Sequence, residues 1–240
     1  MATTSTIDYP TGDGRPLAET PVHQSVLIRM IHVLDHWFEE DSNVYVAGNM
    51  LMYYVEGNPR QHVSPDVFVT LGIPKDKRRD AYFTWEEGGR GPDLVIEVTS
   101  KSTRREDQRK KHALYRDVLR VREYYLFDPR GEYLKPRLQG FRLQEGQYVP
   151  MEAVDGRLPS EVLEGPQFEA VGEELQIYNP ATGKCLLTKT EAELARSEEE
   201  RLREREGRLR AEQEAERLRR RLAELERQQG GNGRHTEDDA

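Results

Sequence analysis

Cysteine is almost missing from this chain: Cys185 is the only one. A disulfide within the chain is therefore excluded, and so is a zinc site built on several thiolates. That usage fits a reducing compartment, and a cytoplasmic location is expected. No apolar run approaches the ~20 residues needed to cross a bilayer, so no membrane partner is expected. The first residues lack the apolar stretch of a signal peptide. Positive charge is not in excess either. The net charge of −8 argues against a generally basic nucleic-acid binder, while leaving room for a local basic patch. Apolar residues are sparse, at 35% against 33% charged, across 240 positions. That length supports one sizeable core, and that composition implies an appendage outside it.

Residues 1–20 are rich in Thr, Gly, Pro and Asp without a period, which reads as a flexible lead-in. From Pro21 the pattern turns helical, with Val26, Met30, Val33, Leu34 and Trp37 forming a core stripe. His23 stands at its start, either as a polar first-turn residue or at the edge of a site. Residues 44–47 and 50–55 read as strands joined by a tight turn at Gly48-Asn49. Gly57-Asn58-Pro59 marks another turn. Ser64-Pro65-Asp66 then opens a β-branched strand, where proline removes no ladder bond and Asp66 sits at the strand mouth. Residues 72–91 read as a long loop. Residues 123–128 form a further buried strand, and 133–148 a hairpin or meander punctuated by Gly140 and Gly146. Residues 158–170 continue as loops and a short strand.

The composition changes abruptly near residue 188. Residues 188–229 are almost all Glu, Arg, Leu, Ala and Gln, which predicts a long solvated or coiled-coil helix, with a disordered tail over 230–240. Ala211, Ala215, Leu218, Leu222 and Leu225 keep a 4-3 spacing for only about two heptads, short of the ~3–4 that define a strong coiled coil. The helix therefore permits a homodimer without specifying one, and the core is the other candidate dimer surface.

The rest of the domain, residues 21–187, is organised around residues 91–115, GPDLVIEVTSKSTRREDQRKKHALY. LVIEV is a buried strand. Its side chains alternate, so Leu94, Ile96 and Val98 face one way and Asp93, Val95, Glu97 and Thr99 the other. An ionised Glu97 in such a strand is costly unless it is paired or binds a metal. On the following helix, Asp107, Lys111, Leu114 and Val118 share the core face, with Tyr115 and Leu119 on its flank. Asp107 and Lys111 therefore point at the strand that carries Glu97. Arg105, Arg109, His112 and Arg116 lie opposite, as a solvated face or a phosphate contact.

Two carboxylates on neighbouring strands can sit ~5 Å apart, within reach of one hard cation. Magnesium suits such a pair, completing its shell with water and substrate phosphates. Asp93 lies four residues from Glu97, ~13 Å along a straight strand, which makes Asp66 the better partner and Asp93 a turn cap. Lys111 would supply an ammonium that stabilises charge on a phosphate. Thr99 holds the position two residues after Glu97, where a strand-borne lysine would stand, and Lys101 is the competing lysine.

The run PDLVIEVTSKSTRREDQRKKHALYRDVLRVREYYLFDP resembles the Uma-two family of restriction-endonuclease-like proteins, within the PD-(D/E)XK nuclease superfamily. The resemblance covers roughly residues 20–180. Its landmarks, in order, are His23, Pro65-Asp66, Pro92-Asp93 with Glu97, Ser100, Ser102, Thr103, Asp107, Lys111, Tyr115 and Glu123-Tyr124-Tyr125. It implies a restriction-endonuclease-like α/β core: a mixed β-sheet flanked by helices, with a magnesium site at Asp66 and Glu97 that also accepts manganese. It also implies a catalytic lysine moved to the helix at Lys111, and DNA as the partner. A charged C-terminal helix is common in that family. Lys101 departs from it, since proline is common there.

On the residues alone two readings stand. Asp66 and Asp93 are turn acids and Glu97–Lys111 a buried ion pair, or the three groups Asp66, Glu97 and Lys111 are catalytic. A buried pair stabilises poorly compared with apolar residues of similar size, which favours the second. With the resemblance, the expected activity is metal-dependent hydrolysis of DNA phosphodiester bonds. The alternative is an inactive module that binds nucleic acid or a protein through its C-terminal helix. Sugar hydrolysis by two carboxylates gives the inward lysine no part.

Overall fold

Thr20 and Pro21 start the first helix. The Thr20 hydroxyl accepts the His23 N–H at 3.3 Å, and Pro21 fills a first-turn position where its missing N–H costs nothing. In this computed structural model, which describes residues 7–12, 20–100 and 103–231, α1 spans Pro21–Trp37. Its buried side chains are His23, Val26, Leu27, Met30, Val33 and Leu34. Trp37, expected on the core stripe, is only half-buried.

Six strands form the central mixed sheet. In spatial order they are β1 (Val44–Ala47), β4 (Val67–Leu71), β6 (Leu94–Val98), β7 (Glu123–Phe127), β8 (Leu138–Gln144) and β9 (Gln147–Pro150). Only β6 and β7 run parallel; the other neighbours are antiparallel. The sheet is covered on both faces, so its middle strands read as nearly continuous apolar runs. Val67, Val69, Leu94, Ile96, Val98, Tyr125 and Phe127 pack towards α1. Phe68, Val95, Tyr124 and Leu126 pack the other way, with Tyr115 and Leu119. The predicted alternation along β6 is present.

Two smaller sheets complete the first unit, residues 1–189. The first joins β2 (Met52–Tyr53), β3 (His62–Val63) and β5 (Tyr82–Phe83). The second joins β10 (Leu158–Pro159), β11 (Gln167–Val171), β12 (Glu174–Asn179) and β13 (Lys184–Cys185). Three expectations are corrected here. Gly48-Asn49 does not close a hairpin, because β1 and β2 belong to different sheets. The long loop of 72–91 contains β5 and a 3-10 turn, Thr84–Glu87. Gly140 does not end a strand; it lies inside β8, where a Cβ would meet Met151 Sδ at 2.9 Å and Tyr125 Cε1 at 3.1 Å.

The second unit, residues 190–240, is described by α3, Lys189–Gly231. From Glu193 to Arg227 every side chain except Ala223 is exposed. Charge pairs along the helix, such as Glu199–Arg203 and Glu216–Arg220, support it locally. The lead-in positions 1–6 and 13–19, and 232–240 of the predicted tail, lie outside the described residues.

Candidate active site

Strand β4 brings Asp66 to the site. Its register with β6 pairs Val67 with Ile96, so one step further sets Asp66 opposite Glu97. There the backbone ladder ends. The Asp66 side chain takes over, with Oδ2 accepting the Val98 N–H at 2.7 Å. His23 of α1 reaches the same oxygen, Nε2 to Oδ2 3.4 Å. Behind Asp66 the chain is tight. A Cβ on Gly48 would stand 2.1 Å from the Asp66 carbonyl oxygen, and the Asn49 N–H donates to the Pro65 carbonyl at 2.9 Å. The Gly48-Asn49 pair that looked like a hairpin turn is the backing plate of Asp66.

The helix after β6 begins as π-helix over Glu106–Lys111 and continues as α2, His112–Asp117. The His112 N–H reaches the Asp107 carbonyl, five residues back. A π-turn changes the angular phase of everything beyond it, and such turns are frequent at functional sites. The phase change explains where the prediction from a regular 100° step fails. Val118, expected inward, is 54% exposed, while Tyr115 is fully buried. His112, expected in solvent, packs edge-on against Tyr124, Phe141 and Tyr148.

Asp107 and Lys111 do point inward, and here the site closes. Lys111 Nζ donates to Glu97 Oε2 at 2.7 Å and to the Ser64 carbonyl at 3.2 Å, and lies 3.5 Å from Asp107 Oδ1. Tyr115 donates its hydroxyl to Glu97 Oε1 at 2.6 Å. Glu97 is wholly buried, whereas the Asp66 and Lys111 side chains keep 14% and 16% of their surface open. Asp107 is 1% exposed, and neither of its carboxylate oxygens has a hydrogen bond among the described residues.

Three acids around one ammonium set the electrostatics. Burial drives the Glu97 carboxyl well above its ordinary range; the Lys111 ammonium opposes this, and Asp66 and Asp107 add to it. Burial also raises Asp107, again against the pull of Lys111. Burial would lower the lysine, but Glu97, Asp66 and Asp107 outweigh it and hold Lys111 protonated beyond the ordinary lysine range. For Asp66, burial pushes up, yet the His23 contact, the Lys111 charge and the Val98 N–H together leave its carboxyl below the usual value.

Of the remaining predicted residues, Asp93 lies at the other end of β6. It accepts the Leu71 N–H at 2.8 Å and faces Arg122 at 3.6 Å. Thr99 donates both its N–H and its hydroxyl to the Phe127 carbonyl, which ties β6 to β7. Lys101 and Ser102 lie outside the described residues. The Ser64 carbonyl and the π-turn were not read from the sequence; a backbone acceptor leaves no side-chain signal.

A family model described as Uma2, "Putative restriction endonuclease", matches residues 3–177. The chain belongs to the Uma2 family. A search of curated proteins gives no match. Among solved structures, a nuclease described as putative and as belonging to DUF820, from Anabaena variabilis, is 14% identical with a TM-score of 0.44. It covers 62% of this chain and 76% of its own.

The acid cluster of this Uma2 chain offers carboxylate oxygens as cation donors. Among the described residues no three His, Cys, Asp or Glu side chains already stand as a ligand group. What is present is a pair of carboxylates on neighbouring strands, Asp66 and Glu97. Magnesium needs only one or two carboxylates, with water and phosphate completing its shell, so the residues fit.

Proposed function

We propose that this protein is a magnesium-dependent endonuclease that hydrolyses phosphodiester bonds in DNA, with Asp66, Glu97 and Lys111 as its catalytic residues. Membership of the Uma2 family supports the nuclease class. The observation that carries the reading is the meeting of Glu97, the neighbouring Asp66 and the helix-borne Lys111 in one charged cluster. Such a buried, strongly perturbed cluster is costly for stability and useful for chemistry.

Asp66 and Glu97 would hold the ion, and manganese would serve in place of magnesium. Magnesium would supply Lewis acidity, polarising the phosphate and easing loss of a proton from the attacking water. The protein's own groups do the rest. Lys111 offers a fixed positive charge for the phosphate oxygens as negative charge builds on them. His23 and the Val98 N–H hold the Asp66 carboxylate ionised and oriented. Tyr115 fixes the Glu97 carboxylate from behind. Ordering these groups before the phosphate arrives lowers the reorganisation the reaction would otherwise need.

One observation favours a second reading, an inactive module of the same fold: Glu97 is fully buried and both its oxygens are engaged. Nicking of supercoiled plasmid with magnesium chloride separates the two. Wild type should convert it to open circles. Glu97→Ala should lose that activity, and Lys111→Ala should fall by about 10²–10³-fold, the usual cost of removing one charge-stabilising group. Equal nicking by wild type and Glu97→Ala would remove the endonuclease reading.

A further inference from the structure

Lys111 and any ion held by Asp66 and Glu97 need the same atom. The ammonium sits 2.7 Å from Glu97 Oε2, and the other oxygen of that carboxylate receives the Tyr115 hydroxyl at 2.6 Å. A divalent cation seeking Glu97 must therefore contest Oε2 with a positive charge already there. Like charges crowding one oxygen repel strongly in a site with little water. One group must yield, and only Lys111 is on a flexible stem with a rotatable ammonium.

The structure also provides a place for it to go. Asp107 lies one helical turn before Lys111, Oδ1 at 3.5 Å from Nζ. Both its oxygens are buried and lack hydrogen bonds among the described residues. Its charge is matched across that 3.5 Å gap by the Lys111 ammonium, and the Thr103 side chain also favours its ionised form, so it is a standing partner for the lysine. A short swing of the lysine stem would complete a hydrogen-bonded pair with Asp107 and free Glu97 Oε2. The Lys111 side chain keeps 16% of its surface open to solvent.

We propose that Lys111 and the divalent cation are alternative occupants of Glu97 Oε2, and that Asp107 is the second seat to which the ammonium moves when the cation enters. Lys111 is then a competitor for the ion as well as a catalytic group, and Asp107 a positioning residue acting through it. The inference rests on the proposed cation site but not on DNA cleavage. It makes an unusual demand: removing the lysine must improve metal binding.

Manganese binding to the full chain by titration calorimetry tests this, with thermal unfolding recorded with and without manganese. Lys111→Met should bind manganese about tenfold tighter than wild type, and Asp107→Asn about tenfold more weakly, the scale on which groups behind a metal ligand act. In the Lys111→Met background, Asp107→Asn should change affinity little, because the seat no longer has an occupant. That non-additivity separates a seat from a direct ligand. Weaker or unchanged binding by Lys111→Met overturns the proposal, and so does an Asp107→Asn loss that persists in full without the lysine. If Lys111→Met does not fold, Lys111→Gln, which keeps a donor for Glu97, replaces it. Wild type supplies a further check: the Lys111 ammonium signal, seen by nitrogen-labelled lysine NMR, should shift on adding magnesium, and a static signal at saturation overturns the exchange. Manganese binding as expected with no plasmid nicking would sink the endonuclease reading alone. Nicking that depends on Glu97, with weaker metal binding by Lys111→Met, would sink this inference alone.

Discussion

Glu97 shows how one residue can carry opposite demands. Its burial favours a protonated acid, while Lys111 and Tyr115 are donors suited to a carboxylate. The folded protein holds this proton more tightly than the unfolded chain, whose ordinary value is 4.5. The group's contribution to stability is therefore fully present below about pH 4.5 and is lost as pH rises through the higher folded value. Urea unfolding followed from pH 4 to pH 8 should show wild type losing stability upward relative to Glu97→Gln, which cannot titrate. Parallel curves would show that Glu97 titrates as it does in the unfolded chain. Asp66 runs the other way, its contribution present above the ordinary carboxylate range and lost in acid, because its folded pKa is lowered. Gly48 is the quiet member of the site. A methyl there would press on the backbone of Asp66, at 2.1 Å from its carbonyl oxygen, and on Ile31 at 2.8 Å. Backbone cannot swing aside as a side chain can. Gly48→Ala should cost about 1–3 kcal/mol by overpacking and also weaken manganese binding, through displacement of Asp66. Calorimetry and urea unfolding on the same sample would show both effects, and an unchanged midpoint would mean the loop gives way freely.

At the scale of elements, β7 is anchored by a polar knot away from the candidate site. Glu123 is buried. It accepts from the Ser160 hydroxyl at 2.6 Å, the Glu161 N–H at 2.8 Å, and the Tyr125 hydroxyl and Arg142 at 3.2 Å each. This ties the central sheet to the turn after β10. Removing one partner of a buried charged network typically costs about 3–5 kcal/mol, so Glu123→Ala should lower the unfolding free energy by that order. Its manganese affinity should match wild type if the knot is purely structural. The same scale shows why some of the fold could be read from residues and some could not. The strand LVIEV was legible because its length, β-branching and flanking turns agree, and its alternation placed Glu97 on the face opposite Ile96. Helix α1 was legible from its period, while its Thr20 cap was not. The strands β3, β5 and β13 escaped because two residues are too few to show a period of two. The inward turn of Asp107 and Lys111 was legible from helical spacing. The packing of half-buried His112 against aromatic rings was not, because the π-turn shifts the phase without a residue type that announces it. In α3, Leu209 and Leu218 are nine residues apart, which at 100° per residue puts them on opposite faces. The leucines of its two halves therefore do not share one seam.

For the molecule as a whole, the net charge of −8 bears on the proposed DNA substrate, a polyanion. Global attraction to DNA is unavailable, so contact has to be local. The π-turn that carries Lys111 also carries Arg109 and Lys110, with Arg105 just before it, and all three of these are exposed. They precede Lys111 in the same stretch of chain, and none is needed to build the acid cluster. If each meets one phosphate, each releases counterions on binding, and the salt dependence counts them at about 0.9 in log–log slope per contact. Arg105→Glu, Arg109→Glu and Lys110→Glu combined should weaken DNA binding at low salt. The slope, measured with a labelled duplex in calcium to suppress cleavage, should become shallower by about 2–3. Manganese affinity should stay at the wild-type value, because the acids and Lys111 are untouched. A slope equal to wild type would move the DNA track to another surface, while leaving the pocket and its lysine where they are.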